Sequence, residues 1–569
     1  MEPFEKILSL NEKEAVKYWF ELCNNCYETQ EEVLLNILEN AKNTEIGRRY
    51  NFKDIKSIKD YQETIPILEY EDISDYIEEM ALAKEDVLFA GKTLFFISTS
   101  GTTGTSKKIP ENDLSQKAKS SVLKLRNSFL GSELFEKIKN DPKIIKYLTE
   151  KGVDLKNPNS NSVLDKFHFY SVTSASPNNK TEGGIDVGFA SGKTFENSSF
   201  GKSLAYPKEI MGLTDGEATM YLSMLFSLIH DDIVIITSNN AGRVYARIKY
   251  AQKHAEKIIT DLRNGTINEE LSLSEDERKL FEDYIEPHPK RADFLEKLLN
   301  KGEDYFIPKY YWPNMIAARF WLTGSVGVNV DKVKHYLPED ILYFDIGYGA
   351  SEGKLSIPKK SNSGAGTLSI ASIFYEFISQ ENGEILTADQ LELNKEYELI
   401  LTNYAGLYRY PLHDIIRVTG FTGATPDIEF VTKSKEILNI AQEKVPAPSV
   451  IEELRKFLEK NSLILTQAQI LPNLTDSNYQ IFIEVEETLE NPDLNKLSKE
   501  FDDLLRNKFE LYNRNRNFDS IKALKLNLMK NGWQKQLYKD KEKNGIPQSQ
   551  VKLESIINKK PEEKWIKEE

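Results

Sequence analysis

The chain has 569 residues, of which 40% are hydrophobic and 29% are charged, which is the composition of a globular protein with at least two domains. Its net charge of −15 argues against a nucleic-acid-binding function, which needs a basic surface, but it leaves small anionic ligands open. The opening residues lack the pattern of a signal peptide, and no stretch approaches the roughly 20 apolar residues that span a bilayer. We therefore expect a soluble, cytoplasmic protein that acts on neither nucleic acid nor membrane.

The first 45 residues show apolar side chains at helical spacing from residue 4 onward, and they include the two cysteines, Cys23 and Cys26. Their C-x-x-C spacing is compatible with a redox pair or with half of a zinc site. No further cysteine completes a zinc site, and the pair lies in a helical pattern instead of following a strand. We interpret both residues as reduced thiols without a catalytic role.

An α/β pattern follows. The apolar run 94–97 predicts a buried strand, and after a polar loop Asn112 or Asp113 can cap a helix that reaches about residue 130. Further apolar runs predict buried strands at 233–236, 320–323 and 341–344. Helical patterns at 241–264 and 289–301 separate them. Alternating strands and helices indicate an α/β fold.

The pattern changes after a predicted turn at 421–426. Helices are predicted at 448–460 and 493–510, and strands at 479–485 and near 521–528, which together make an α+β domain of about 130 residues. We therefore predict a large N-terminal domain of several subdomains, 1–428, and a smaller C-terminal domain, 433–569.

The strongest local signal is a loop rich in glycine and hydroxyl groups between the strand at 94–97 and the following helix. Backbone N–H groups and hydroxyls in such a strand–loop–helix setting can surround phosphates, and Lys107 and Lys108 can balance their charge. A Walker P-loop is excluded because no Gly-Lys-Ser/Thr sequence occurs there. The predicted phosphate-binding residues are Ser98, Thr99, Ser100, Gly101, Thr102 and Thr103.

A second site follows the strand that ends at Asp345. Open α/β sheets bind ligands at the carboxyl ends of their strands, where the segment Tyr348-Gly349-Ala350-Ser351-Glu352 is placed. Ser351 can donate a hydrogen bond to a phosphate, and Glu352 can hold Mg²⁺, which prefers oxygen ligands. The alternative is that Glu352 is an ordinary carboxylate at the start of a helix.

A third site contains Asp414, which we expect just before an apolar strand in the segment 408–420. A carboxylate there can accept hydrogen bonds from both hydroxyls of a ribose. The alternative is an aspartate that caps a turn.

These three sites, in this order, resemble the adenylate-forming superfamily and, within it, the Gretchen Hagen family of acyl-acid amido synthetases. Further segments are similar to family motifs, and the resemblance extends over nearly the whole chain. They are the segments 181–185, 308–314, 322–325, 374–378 and 399–410.

The resemblance implies a large adenylating domain followed by a small mobile domain. It also implies a reaction in two steps, in which a carboxylic acid attacks MgATP to give acyl-AMP and pyrophosphate, and an amine, often an amino acid, then displaces AMP. By the family pattern, the loop 98–104 binds phosphates, Ser351 contacts the α-phosphate, Glu352 binds Mg²⁺ and Asp414 binds the ribose. Adenine is expected near Tyr348, beside Gly349 and Ala350, and a monomer is expected.

The C-terminal domain is expected to rotate about Lys433 between the two steps. Related enzymes place a C-terminal lysine at the reacting phosphate, but here Gln550 occupies the matching position, with Lys552 two residues later. Lys552 is our candidate for the catalytic lysine, and Lys444 is the alternative. A second departure is His413, which stands where the family usually has glycine, and we interpret it as a packing residue.

The acyl group is expected between the helix 114–129, the strand 167–172 and the helix near 221–228, with Phe169, Tyr170, Met224 and Phe226 as candidate lining residues. The sequence identifies neither the acid nor the amine. Two other functions remain open: acyl transfer to coenzyme A or a carrier thiol, and a nucleotide-binding protein without catalysis.

Overall fold

The computed structural model describes the greater part of the chain. The described residues are 1–98, 107–153, 167–172, 179–188, 203–213, 215–323, 330–433, 436–438, 440, 443, 445–473, 475–486, 492–517, 521–543 and 553–567, with the backbone alone at residues 433, 510, 511, 514 and 543. Among the helices of these ranges, none is long and apolar enough for a membrane crossing.

The α-helices of the described ranges are numbered here in chain order. They are α1 (Pro3–Ser9), α2 (Glu12–Asn24), α3 (Cys26–Ala41), α4 (Glu45–Arg49), α5 (Ile58–Thr64), α6 (Tyr70–Ala81), α7 (Asp113–Asn140), α8 (Pro142–Glu150), α9 (Gly216–Ile229), α10 (Ala241–Lys253), α11 (Ala255–Asn264), α12 (Glu275–Tyr284), α13 (Pro289–Leu299), α14 (Pro308–Tyr311), α15 (Ala447–Lys460), α16 (Leu494–Lys508), α17 (Glu510–Asn517) and α18 (Trp533–Lys543).

The strands of the same ranges form several sheets. They are β1 (Phe95–Ser98), β2 (Lys108–Glu111), β3 (His168–Val172), β4 (Asn179–Lys180), β5 (Asp186–Gly188), β6 (Ile233–Ser238), β7 (Ala317–Phe320), β8 (Leu342–Asp345), β9 (Ser356–Pro358), β10 (Gly366–Leu368), β11 (Ile373–Ser379), β12 (Ile385–Thr387), β13 (Glu396–Asn403), β14 (Tyr410–Thr422), β15 (Thr425–Lys433), β16 (Ile437–Leu438), β17 (Val445–Pro446), β18 (Leu465–Asn473), β19 (Asn478–Val485) and β20 (Lys525–Leu528).

Contacts divide the chain into two units. Of the described residues, the first unit contains those up to Leu412 and the segment Ile416–Val431, and the second contains His413–Ile415 and those from Thr432 onward. The α/β fold class predicted from the sequence is confirmed, because strands and helices alternate through the first unit.

A parallel sheet of order β3-β6-β7-β8 lies in the first unit. It is enclosed by a core that includes residues of α9, α10 and α13, which explains why its strands consist of apolar runs. The carboxyl ends of the four strands lie at one edge, and the segment 346–353 follows β8 at that edge. The fold therefore places the second predicted site where parallel sheets commonly bind ligands.

A larger sheet of order β12-β11-β13-β14-β15-β10-β9 lies beside the N-terminal helices. Gln30 of α3 connects them: its amide group donates to the carbonyls of Ile370 and Ile373 at 3.0 and 2.8 Å and accepts from the Tyr375 N–H at 2.8 Å. These three bonds satisfy a polar side chain that is 2% exposed, so the helix has a defined position on the sheet.

The N-terminal helical pattern is confirmed, but it is divided into four helices instead of continuing to residue 45. Asn11 and Thr44 cap α2 and α4 by accepting the N–H groups of Glu14 and Gly47. Cys23 and Cys26 lie at the junction of α2 and α3, and both are free and buried. Burial raises their pKa to about 12 and about 11, so both remain protonated thiols at neutral pH, as interpreted from the sequence.

One strand lies earlier than predicted. The apolar run 320–323 suggested a strand, whereas β7 covers Ala317–Phe320 and pairs on both sides through small buried alanines. The next two residues, Trp321 and Leu322, lie outside the sheet because their polar groups form hydrogen bonds with other parts of the chain. The Leu322 N–H donates to the Asp345 carboxylate at 2.7 Å, and the Trp321 indole donates to the Gly347 carbonyl at 3.0 Å.

The second unit contains the α+β elements predicted beyond residue 433. β18 and β19 are antiparallel, β20 is parallel to β19, and α15 and α16 contribute to the same core. The predicted helix at 448–460 and strand at 479–485 agree with α15 and β19 within one residue. The domain boundary at 428–433 stays a prediction.

Candidate functional site

The glycine- and hydroxyl-rich loop begins at Ser98, the last residue of β1. Ser98 pairs with Lys108 of the antiparallel strand β2, and Thr99, Ser100, Gly101, Thr102 and Thr103 lie outside the described residues. The predicted strand–loop–helix arrangement is wrong in one respect, because β2 stands between the loop and α7. The loop therefore joins the two strands of a β-hairpin. The N–H groups at the N-terminus of α7 do not directly follow the loop, so the predicted phosphate binding has to come from the loop itself.

The segment Tyr348–Gly353 forms a tight turn after β8. The Tyr348 carbonyl accepts the N–H groups of Leu355 and Ser356 at 2.9 and 3.1 Å, and the Tyr348 N–H donates to the Ser356 hydroxyl at 3.1 Å. Closer to its tip, Ala350 and Gly353 exchange backbone hydrogen bonds of 3.0 and 3.3 Å. Ser351 and Glu352 therefore lie at the end of a backbone loop that is fixed at its base.

Side chains from two other elements hold the tip. The Asn403 amide donates to the Glu352 carbonyl at 2.8 Å, and the Lys119 ammonium donates to the Ser351 carbonyl at 3.3 Å. No helix begins at this turn, which continues directly to β9, so the alternative interpretation of Glu352 as a helix-start carboxylate is wrong. Both side chains are half-buried.

Asp345 and Gly347 fix the entry to the turn. The Asp345 carboxylate accepts the N–H groups of Leu322 and Gly347, each at 2.7 Å. Burial raises the pKa of Asp345 to about 6, against the effect of these bonds. Gly347 has φ +87°, and a Cβ atom there would lie 2.9 Å from the Ser356 carbonyl oxygen, so only glycine fits.

Four cationic side chains lie beside the turn and were not predicted from the sequence. They are Lys119, Arg126, Arg319 and Lys354, and we call them the cation cluster. Two carboxylates are close to them: Glu111 pairs with Lys119, and Asp345 acts on Arg126. The cluster therefore keeps an excess of positive charge.

Burial shifts several members of the cation cluster. It lowers the pKa of Arg126 to about 9, with a further contribution from Arg319, and lowers that of Arg319 to about 10. Burial, then Arg126 and Lys119, lower the pKa of Lys354 to about 8. Arg126 donates to the Ile346 carbonyl at 3.0 Å, while its buried Nε has no acceptor among the described residues. Such a group gains from an anionic ligand.

Two members of the cation cluster could have been found from the sequence of α7. Lys119 and Arg126 are seven residues apart, so two helical turns place both on the same face. No comparable sequence pattern marks Arg319 and Lys354. The pairing of β7 with β8 and the turn before β9 bring these two side chains to the cation cluster.

Asp414 lies inside β14, not before a strand as predicted. It is 4% exposed, four residues after the start of the strand at Tyr410. Burial and then the charge of Glu352 raise the pKa of Tyr410, which places that tyrosine near the tip of the turn. His413 has φ +54°, a left-handed conformation that glycine adopts more easily than other residues.

The remaining predicted site residues are less fully described. Lys433 ends β15, and only its backbone is described. Lys444, Gln550 and Lys552 lie outside the described residues.

The candidate acyl-lining residues differ in exposure. Met224 and Phe226 of α9 are 1% and 4% exposed and belong to the core of the parallel sheet, as does Tyr170. Phe169 is partly buried. These side chains contribute packing, and their contact with an acyl group stays a prediction.

Comparison with known proteins supports the resemblance seen in the sequence. Family models match along most of the chain: the GH3 family N-terminal domain at residues 16–154 and 147–342, the GH3 family central domain at 366–433, and the GH3 family C-terminal domain at 447–561.

Individual relatives align over most of their length. A jasmonoyl–L-amino acid synthetase of Nicotiana attenuata, JAR4, is 24% identical over 93% of this chain and 90% of its own. The 4-substituted benzoates–glutamate ligase GH3.12 of Arabidopsis thaliana is 24% identical over 82% of this chain and 80% of its own. The solved structure of the GH3.15 acyl acid amido synthetase superposes with a TM-score of 0.79 at 20% identity, covering 97% of this chain and 95% of that one.

Proposed function

Because this chain belongs to the GH3 (Gretchen Hagen) family, we propose that it is an ATP-dependent acyl-acid amido synthetase. The observation that carries this proposal is the fixed turn Tyr348–Gly353 at the carboxyl end of a parallel sheet, with the cation cluster beside it. Relatives named as amino acid conjugating ligases act by forming an amide, and the same bond is proposed here.

The proposed reaction has two steps. A carboxylate oxygen of the acid attacks the α-phosphorus of ATP, and the bond to the β-phosphate breaks to release pyrophosphate. An amine then attacks the acyl carbon, AMP leaves with the electron pair of the acyl–oxygen bond, and the amine loses its proton. Both reactants of the first step are anions, so positive charge and hydrogen-bond donors must offset their repulsion.

The cation cluster suits that requirement. Arg126 is partly buried, and its buried Nε has no acceptor among the described residues, so a carboxylate beside it would gain a charge-assisted hydrogen bond. Lys119 holds the carbonyl of Ser351, so it fixes the turn and adds charge at the same place. We assign the carboxylate of the acid to this cluster, and its binding next to ATP avoids an entropy loss equivalent to roughly 7–11 kcal/mol.

The remaining site residues have proposed roles from the family pattern. Ser351 contacts the α-phosphate, Tyr348 stacks on adenine beside Gly349 and Ala350, and Asp414 accepts the ribose hydroxyls. A stacking role for Tyr348 is supported by its ring, which already packs on Phe430 at 5.6 Å with planes 31° apart. The loop residues 98–103 bind the outer phosphates.

Glu352 is the proposed ligand of Mg²⁺. Its half-buried carboxylate is an oxygen donor of the kind Mg²⁺ prefers, and the Asn403 bond to its carbonyl restricts the backbone that carries it. When bound, Mg²⁺ would neutralise phosphate charge.

The proposal also includes two domains, 1–428 and 433–569, of which the second rotates about Lys433. We further propose that the protein is a monomer and that it is cytoplasmic.

The function is tested by measuring pyrophosphate release from the purified chain with ATP and a panel of carboxylic acids. Each active acid is then incubated with a mixture of amino acids or with coenzyme A, and the products are identified by mass spectrometry. We expect acid-dependent pyrophosphate and an amide. A thioester without amide would show an acyl-coenzyme A ligase, and ATP binding without pyrophosphate from any acid would show a protein without this catalysis.

A further inference from the structure

A cluster of metal-ligating side chains lies in the first unit, apart from the cation cluster. His168 begins β3, Asp232 directly precedes β6, and His230 follows the last residue of α9. The His168 N–H donates to the Asp232 carbonyl at 3.3 Å, so two of the three residues are neighbours across the first rung of the sheet. One ligand atom of each side chain lies within 4.8 Å of the other two.

The distances within this cluster lie on either side of those in a tetrahedral metal site. The Asp232 Oδ1 lies 2.9 Å from the His168 Nδ1, at hydrogen-bond distance, and 3.8 Å from the His230 Nδ1. Zinc bonds of about 2.0–2.1 Å place neighbouring ligand atoms about 3.3–3.4 Å apart. The two imidazole rings stack with centroids 3.7 Å apart and planes at 28°, so both present a nitrogen toward the same carboxylate.

The backbone that carries His230 is held firmly. Arg291 donates to the carbonyls of Leu228, His230 and Tyr311 at 2.7, 3.0 and 2.7 Å, so the end of α9 is fixed where it meets the sheet. Preorganised ligands lose little entropy when an ion binds.

The cluster is accessible from solvent. The side chains of His168 and His230 are 29% and 27% exposed, and that of Asp232 is 12% exposed. An ion can therefore reach the cluster from solvent.

We propose that His168, His230 and Asp232 form a binding site for a divalent transition metal of the zinc class. Two imidazole nitrogens and one carboxylate oxygen favour zinc over Mg²⁺ or Ca²⁺, which take oxygen ligands. The site lies at the amino ends of β3 and β6, whereas the turn 348–353 follows the carboxyl end of β8 in the same parallel sheet. It is therefore distinct from the proposed adenylation site, and it links the end of α9 to the first strand of the sheet.

A water molecule would complete the four ligands of a zinc ion at this site.

The full chain, stripped of metal with a chelator, is titrated with Zn²⁺ against a chromogenic chelator, and its thermal midpoint is recorded with and without Zn²⁺. We expect one tight equivalent and a higher midpoint with metal, because an ion that binds only the folded chain stabilises it. His230→Ala and Asp232→Asn should each weaken binding by at least about tenfold. The exposed His335→Ala is the matched control and should bind as the wild type does.

X-ray absorption of the zinc-loaded wild type gives a result that does not depend on the variants folding. Two imidazole nitrogens in the zinc shell support the proposal, and a shell of oxygen atoms alone overturns it. Equal zinc affinity in wild type and His230→Ala would also overturn it, as would a wild type that binds no zinc.

Discussion

Glu352 combines a restrained backbone with a half-buried carboxylate at the tip of the turn after β8. If it binds Mg²⁺, Glu352→Ala removes a ligand but no core packing, so most of the adenylation activity should be lost while the thermal midpoint stays near that of the wild type. Pyrophosphate release measured over a range of Mg²⁺ concentrations checks this. Glu352→Gln, which retains the shape and one oxygen, should need more Mg²⁺. A wild-type rate for Glu352→Ala at limiting Mg²⁺ contradicts the assignment.

His413 adopts a conformation that glycine adopts without steric cost, since its φ is +54°. His413→Gly should therefore stabilise the protein by about 1 kcal/mol, because the strain of a side chain in the left-handed region disappears. Thermal and urea unfolding measure the change. His413→Ala is the control, because it removes the imidazole but keeps the strain. A gain in stability with alanine equal to that with glycine would show that the imidazole, and not the backbone, is unfavourable.

At the scale of elements, α7 directs Lys119 and Arg126 toward the turn and the residue before it, Ile346, from one helical face. Arg126→Met should raise KM for the carboxylic acid by more than about tenfold, since a hydrogen bond to a charged group contributes about 1.5–3 kcal/mol. The KM for ATP should change little. Lys117→Met, an exposed change on the same helix, is the control. If acid and ATP are affected equally, Arg126 supports the fold and not the acid.

The turn after β8 depends on Asp345, and its titration gives a pH-dependent stability. Burial raises the pKa of Asp345 to about 6 from an ordinary value near 4, so the folded protein retains a proton that the unfolded chain has lost between these values. Its contribution to stability thus falls as the pH rises from about 4 to 6.

Asp345→Asn removes this titration. Its thermal midpoint relative to the wild type should therefore improve as the pH rises from 5 to 7, even though the variant loses one acceptor for the N–H groups of Leu322 and Gly347. The exposed Asp331→Asn should show no such trend. A difference between Asp345→Asn and wild type that is constant over this range would show that the carboxyl is ionised throughout.

At the scale of the whole molecule, the family resemblance implies that a lysine from the C-terminal domain acts in the first step. Lys552 and Lys444 are the candidates, because the same resemblance places Gln550 at the position of that lysine. Lys552→Ala should slow adenylation by more than about tenfold, equivalent to about 1.4 kcal/mol of barrier, and should spare transfer from a supplied acyl-adenylate.

Lys444→Ala, assayed in parallel, separates the two candidates. Pre-steady-state release of pyrophosphate reports the first step, and amide formation from synthetic acyl-adenylate reports the second. If neither variant slows the first step, the chain adenylates without a C-terminal lysine, and Gln550 marks a change of mechanism.

The sequence by itself determined the fold class and the family, because both are expressed in local patterns. Apolar runs predicted β6 and β8 nearly to the residue, and short motifs such as Tyr348–Gly353 are contiguous in the chain. Ser351 and Glu352 belong to one contiguous motif at the tip of this turn. They could therefore be identified as candidate site residues before the structure was known.

Only the tertiary structure decided which distant residues meet. Arg319 and Lys354 join Lys119 and Arg126 because strand pairing and a turn bring them together, and no local pattern records that proximity. His168, His230 and Asp232 meet for the same reason, since His168 and Asp232 are 64 residues apart in sequence. The lowered pKa values of Arg126, Arg319 and Lys354 also arise mainly from burial, a property of the packed molecule that a linear pattern of residues does not contain.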